Sequence, residues 1–365
     1  MTGDLLMSPV AYFNGHQVPQ FKGLEEELLK EYVEQGGFLL AEACCGKKEF
    51  DQGFRALMKK LFPDHALQPL AAGHQIWSAP YVVKPGSFGL EGMEMGCKTV
   101  VVYSPKDLSC YWESNQLKNE KALEAFHLGG NIIAYASGME LPKPRLTPAD
   151  VIRKEDDRKI PRGFMKVVQV KYGDDWQPAP NAMKNLTTYL ADKPRLDVAV
   201  EKDPVLPGSP RVLDYKFLYM HGRRGFEIGE NGLENLRATL QTGGLLLADA
   251  CCGKTEFDSA FRAFTKKLFP NEKLERIPPG DELYSRDIND VALTQVRCRR
   301  ERGAPFREVP PELEGIKYQY RWAVIYSRYD LGCALEKHQS TDCLGHDYES
   351  ALKIGAAAVL YALKR

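Results

Sequence analysis

No sign of charge dominates this chain, no stretch of it stays apolar for long, and no dense cysteine framework runs through it. Lysine plus arginine and aspartate plus glutamate both number 49, so the formal net charge is zero. A general nucleic-acid binder carries a basic excess, and that class is set aside. No run approaches the roughly 18 apolar residues that a membrane span requires. The opening residues, MTGDLLMSPVAYF, lack the basic region and long apolar core of a signal peptide. Nine cysteines in 365 residues are too few to staple a chain this long. What is present, 44% hydrophobic and 27% charged residues, is the composition of a globular protein with room for two domains.

One stretch occurs twice. Residues 36–63 read GGFLLAEACCGKKEFDQGFRALMKKLFP, and residues 243–270 read GGLLLADACCGKTEFDSAFRAFTKKLFP. They align without a gap, with 21 of 28 positions identical. Each is an apolar run, an acidic turn with two adjacent cysteines and a glycine, and an amphipathic segment. That order predicts a buried strand, a tight turn and a helix. Cys44, Cys45 and Cys110 correspond to Cys251, Cys252 and Cys333, whereas Cys97, Cys298 and Cys343 stand alone.

The first copy, residues 1–138, is expected to hold a helix over 24–34, strands at 36–40 and 98–104, and a closing helix over 122–136. Residues 139–163 are rich in proline and charge and read as a linker. The second copy, 164–365, opens with strand, helix and strand (165–172, 180–190, 197–201) that the first lacks. It continues with strands at 215–221, 243–247 and 322–327 and helices over 230–242 and 348–363. Residues 270–321 read as irregular. Strands alternating with helices argue for a parallel sheet covered on both faces. The missing opening of the first copy would expose a sheet edge, which suggests that the chain is the C-terminal part of a longer product.

In such a sheet, ligands collect beyond the carboxyl ends of the strands, where the cysteine turn falls. A thiol at a helix N-terminus is favoured as thiolate, and Lys47 or Lys254 would act the same way. Three roles stand open: small side chains packed or disulfide-linked under a turn, metal ligands, or a nucleophile. Against a nucleophile, acidic Glu42 or Asp249 precedes the pair, and the copies disagree about a base. His74 aligns with Asp281, and His221 aligns with Asn14. Downstream, Cys333, His338 and Cys343 could bind zinc, with Cys251 or Cys252 as a fourth ligand. Cys333 and Cys343 could equally close a disulfide loop, and Cys252–Cys333 and Cys45–Cys110 could bridge neighbouring strands. Around the same rim lie Asp174, Asp175, Trp176, His221, Arg223, Arg224, Ser327 and Asp330, which would suit a small polar or anionic ligand. Solvated loop ends and caps are the plain alternative. Arg297, Arg299, Arg300 and Arg302 form a basic run that is either solvated or grips an acidic partner.

The segments YGDDWQPAPNAMKNL, FLYMHGRRGFEI, GGLLLADACCGKTEFDSAFR, PELEGI, RWAVIYSRYDLGCALE and ALKIGAAAVLYAL resemble the bacterial domain-of-unknown-function family 4159. FDQGFR, VVVYSPKDLSCYWE and GGNIIAYASG extend the resemblance to the first copy. It implies two α/β three-layer domains with mainly parallel, flavodoxin-like sheets, similar to class I glutamine amidotransferases. In those enzymes the nucleophilic cysteine occupies a strand-to-helix elbow, and Cys251-Cys252 looks like that elbow. Their GxCxG pattern is replaced by ADACCGK, and their C-terminal His-Glu pair has no match. The resemblance carries no activity. It favours the cell envelope over the cytoplasm.

The expectation is therefore a tandem, non-catalytic binding or scaffold module. Its cleft would use Asp175, Trp176, His221, Arg223, Asp249, Cys251, Cys252, Ser327 and Asp330, with Glu42, Cys44, Cys45 and His74 in the first copy. Its partner would be a small polar or anionic ligand or another protein, and no cofactor is read. The alternative is a thiol hydrolase or amidase with Cys252 as nucleophile and His221 or His338 as base. The third is a zinc site at Cys333, His338 and Cys343.

Overall fold

The repeated apolar run, cysteine turn and amphipathic helix build the same structural unit twice. The computed structural model describes residues 3–114, 118–138, 165–191, 198–201, 203–289, 291–338 and 340–364. The expected linker at 139–163 lies outside the described residues. The chain divides into two units, Met1–Asp157 and Arg158–Arg365.

In the first unit, strands β1 (Val10–Gly15), β2 (Phe38–Ala43), β3 (Gln68–Pro69), β4 (Glu91–Met95) and β5 (Lys98–Ser104) form one sheet in the order β1-β2-β5-β4-β3. Helices α1 (Leu24–Glu34), α2 (Lys48–Leu61), α3 (Ser109–Ser114) and α4 (Glu120–Ala136) accompany it. β1, β2 and β5 run parallel, and β4 and β3 add on antiparallel. β2 is buried along its whole length because it has a parallel neighbour on each side and helices above and below.

The second unit holds β6 (Met165–Gln169), α5 (Ala182–Ala191), β7 (Val198–Val200), β8 (Phe217–Gly222), α6 (Glu230–Gln241), β9 (Leu245–Ala250) and α7 (Thr255–Leu268). Beyond these come β10 (Glu275–Arg276), β11 (Val296–Arg299), β12 (Arg307–Val309), β13 (Glu314–Tyr318), β14 (Arg321–Ser327), α8 (Gly332–Leu335), β15 (Gly345–His346) and α9 (Tyr348–Lys364). The main sheet is ordered β10-β13-β14-β9-β8-β6-β7, and a small antiparallel sheet is ordered β12-β11-β15. The five strands from β14 to β7 are parallel, whereas β13 and β10 are antiparallel. The sheets are thus mixed, and an all-parallel reading misses their edges. Residues 270–321 are irregular for most of their length but not throughout. They carry β10 to β13, whose two to five residues are too short to show a period of two.

α2 buries Phe50, Phe54, Leu57 and Leu61, and α7 buries Phe257, Phe261, Phe264 and Leu268. That spacing puts each set on one helix face, where each buried ring contributes roughly 2 kcal/mol. A polar clamp fixes each helix to its sheet. Asp258 accepts from the Tyr326 hydroxyl at 2.9 Å and from Arg262 Nε, while Arg262 forks onto Glu314 at 2.9 and 2.6 Å. Asp51, Tyr103, Arg55 and Glu91 repeat it. The shared FDxxFR pattern is therefore a helix-to-strand tie.

Candidate thiol and imidazole site at the strand ends

In the second copy, parallel pairing sets His221 on β8 beside Asp249 on β9, and Asp249 beside Ser327 on β14. His221 Nδ1 donates to Asp249 Oδ2 at 2.9 Å, and the Tyr219 hydroxyl donates to Oδ1 at 2.8 Å. The Leu331 and Gly332 amides donate to Oδ2 at 2.8 and 3.1 Å, so this carboxylate draws the segment after β14 over the end of β9. A Cβ at Gly332 would stand 2.6 Å from His221 Nε2, which is why glycine occupies the position. Cys252 turns the chain with φ 50 and ψ 26, a left-handed conformation that costs a side-chain-bearing residue about 1 kcal/mol. Its amide donates to Asp330 Oδ2 at 2.6 Å, and Asp330 Oδ1 accepts from the Ala334 amide at 3.1 Å.

The result is a packed group of soft and hard donors. Ligand atoms of His221, Cys251 and Asp330 lie within 4.8 Å of one another, as do those of Cys252, Asp330 and Cys343. Cys333 Sγ sits 3.2 Å from Cys251 Sγ and 3.7 Å from Cys252 Sγ. His221 is fully buried, and its Nε2 has no hydrogen-bond partner. Leaving a buried ring nitrogen unpaired costs about 1–3 kcal/mol.

The charges here are interdependent. Burial pushes the His221 imidazole down, but the Asp249 carboxylate outweighs it and raises the group to about 9. Burial pushes Asp249 up, and the imidazole with the Leu331 and Gly332 amides holds it below the usual carboxylate range. Asp330 is pushed well up by burial and by negative charge on Cys252. Cys252 is favoured as thiolate by hydrogen bonds from the Cys251 and Cys343 thiols. Those two are correspondingly pushed up, Cys251 chiefly by burial and Cys343 by its bond to Cys252. One thiolate is shared among three sulfurs, because a second buried negative charge would have no partner.

The first copy keeps the frame and changes the content. Glu42 accepts from the Leu108 and Ser109 amides as Asp249 does from its own loop. Cys45 has the same left-handed turn, with φ 55 and ψ 19. Asn14 replaces the imidazole and binds the Tyr12 hydroxyl at 3.0 Å. Cys45 and Cys110 are separate thiols, 4.0 Å apart.

Several expectations are corrected by this geometry. Cys252 and Cys343 are free thiols, as are Cys45 and Cys110, so none of the expected disulfide pairs forms. The imidazole in the second-copy donor group is His221, and the charge of His338 also favours the Cys252 thiolate. His74 is not at the thiols: it caps a turn by accepting from the Ile76 amide, and its Nε2 pairs with the Thr99 hydroxyl. Asp281 caps the equivalent turn through the Leu283 amide, which explains the exchange of histidine for aspartate. Asp175 is spent on Arg223 and on the Arg223 and Arg224 amides. The Trp176 ring lies under Lys171, and Ser327 donates to the Tyr329 carbonyl. Asp175, Trp176, Arg223 and Ser327 thus each have a partner within the fold. The basic run is tied down too: Arg297 pairs with Asp347, Arg300 with Glu312, and Arg299 lies over Phe306. Asp330 is the residue whose weight the sequence understated, since its place in both donor groups depends on the loop folding back.

The same frame at the same strand ends in both units marks a duplicated domain, and one family model, Domain of unknown function (DUF4159), matches residues 2–137 and 166–363. The chain belongs to the DUF4159 family. It carries two DUF4159 copies in tandem. No curated protein matches it. Among the described residues of this DUF4159 protein, no helix is long and apolar enough to cross a membrane.

Proposed function

We propose that this protein is a non-catalytic, metal-binding tandem module whose second copy holds a soft divalent cation of the zinc class. The ligands are drawn from Cys252, Cys343, Asp330, His221 and Cys251. Cys333 is left out of the set because its sulfur is already bonded. The observation that carries the reading is His221 Nε2, a buried nitrogen with no hydrogen-bond partner among the described residues, within 4.8 Å of the Cys251 thiol and the Asp330 carboxyl. Its other nitrogen is fixed by Asp249, the arrangement in which a carboxylate orients a metal-binding imidazole. His221, Asp330 and Cys343 hold protons that a divalent cation would displace, so binding should release protons and tighten as pH rises. Thiolates with an imidazole suit zinc.

The test is zinc uptake by the reduced chain after exhaustive dialysis. The wild-type protein should retain one equivalent in this copy, and His221→Asn and Cys343→Ala should each weaken it at least ten-fold. Retention unchanged in both variants would overturn the proposal.

A thiol hydrolase is the second reading, favoured by the left-handed elbow at Cys252 and its thiolate character. His221, raised to about 9, would stand beside the Cys252 thiolate as a general acid and not as a base. Cys45 repeats the elbow beside an asparagine, which marks the turn as part of the fold. Fast alkylation of Cys252 in zinc-loaded protein would revive the hydrolase. The amidotransferase-like, flavodoxin-like and bacterial descent stays part of the proposal. What supports it is the order of the second unit's parallel strands, which in chain sequence run 2-1-3-4-5 with the elbow after the fourth.

A further inference from the structure

The second copy shows what one flank of the first leaves uncovered. β8 is buried along its whole length between β9 and β6. Its counterpart β1 pairs with β2 and, among the described residues, ends its sheet. Tyr219 on β8 is 0% exposed, whereas Tyr12 in the matching place on β1 is 47% exposed. The closing helices α4 and α9 correspond through Tyr135 and Tyr361, whose hydroxyls accept the Thr99 and Trp322 amides at 3.0 Å. α5 covers α9, with Leu186 against Gly355. On α4 the matching Gly129 meets the Trp112 ring, and Ile133 is 38% exposed where Val359 is 0%. Glu336 is held by the Asn181 amide at 2.6 Å and its side chain at 2.7 Å, whereas the matching Glu113 is exposed.

We propose that this flank is a docking surface for a strand–helix element of the β6–α5 kind, presented by another polypeptide. β1, VAYFNG, carries no charge, proline or bulge, the devices by which an edge strand refuses a neighbour. The Tyr12 and Trp112 rings, 6.0 Å apart, continue the edge into an apolar strip that reaches Gly129 and Ile133 one turn on. On the α3 side the strip borders an open cleft of about 510 Å³ between Cys45 and Tyr111. The incoming strand would add parallel to Val10, Ala11 and Tyr12, which match the three β8 residues paired with β6. The helix after it would set aliphatic side chains over Trp112 and Ile133, and an asparagine at its start against Glu113. Strand addition of this kind takes affinity from backbone hydrogen bonds and specificity from side chains. Two chains joined β1 to β1 would satisfy the edge but bring no helix to α4, so a strand–helix partner fits better.

The surface is independent of the proposed zinc centre. The probe is a fluorescein-labelled peptide of residues 165–191, titrated into the full chain and read by anisotropy. Saturable binding of one peptide per chain is expected. Hydrogen exchange should slow over residues 10–15 and 120–136 and stay unchanged over 217–222. Val170→Pro in the peptide removes the amide that donates to the Tyr219 carbonyl in the second copy, and should weaken binding at least ten-fold. Ile133→Lys in the chain should do the same, while Leu24→Asp, on exposed α1 surface, should leave binding unchanged. Both side chains are exposed, so the fold is kept, and circular dichroism checks this. No binding, protection at 217–222, or binding that survives Val170→Pro and Ile133→Lys would overturn the proposal. A chain that sediments as a dimer and becomes monomeric on Ile133→Lys would overturn it too, by making a second copy the occupant.

Discussion

His74 and His221 show how little an isolated histidine says about its role. Each stands in one copy only. His74 has an aspartate in its place in the other copy because both residues cap the same short turn. His221 has an asparagine in its place, Asn14, which donates to the Tyr12 hydroxyl. Burial pushes His74 down to about 4. A depressed histidine is neutral in the folded chain while the unfolded chain takes up a proton near pH 6.5. Its stabilising contribution is therefore present above about 6.5 and lost as pH falls toward 4. His74→Asp keeps the cap and removes this titration. The urea midpoint of the variant should fall less than that of the wild type between pH 7 and pH 5. Equal falls in both would show that His74 does not govern the acid response.

At the level of the element, the FDxxFR segments join helix to sheet through one carboxylate. Asp258 is the acceptor for the buried Tyr326 hydroxyl and one arm of the Arg262 bridge. Asp258→Ala leaves the hydroxyl without that partner and frees the guanidinium. The expected loss is about 2 kcal/mol in urea unfolding of the second unit, with a similar loss for Asp51→Ala in the first. A loss below about 0.5 kcal/mol would mean that the clamp is worth no more than a surface pair. The helices and central strands were legible because their apolar spacing is strong and their caps are local. The antiparallel edge strands were not, since two or three residues with neither face fully buried carry no period.

Across the whole molecule, duplication separates frame from chemistry. The carboxylate after the apolar strand, the left-handed cysteine and the polar clamp occur twice and belong to the frame. His221 and Cys343 occur once and belong to the proposed zinc site. Saturating zinc at about 100 times its dissociation constant should stabilise the second unit by about 2.7 kcal/mol. Hydrogen exchange should slow over residues 203–289 and 291–364 and stay unchanged over 10–114. Equal protection of both copies would place the ion in the shared frame.

The sequence by itself determined the duplication, the α/β alternation, the family and the position of the cysteine turn, because these are properties of local pattern and of alignment. Only the tertiary structure decided which groups meet at that turn. Parallel register puts His221 against Asp249, and the loop after β14 brings Asp330 and Cys343 back to Cys251 and Cys252. Contacts between residues some 30 to 120 positions apart leave no periodic trace in a chain. The turn with which both copies announce themselves belongs to the frame, and its tertiary neighbours, an imidazole in the second copy and an open cleft in the first, are what tell the copies apart.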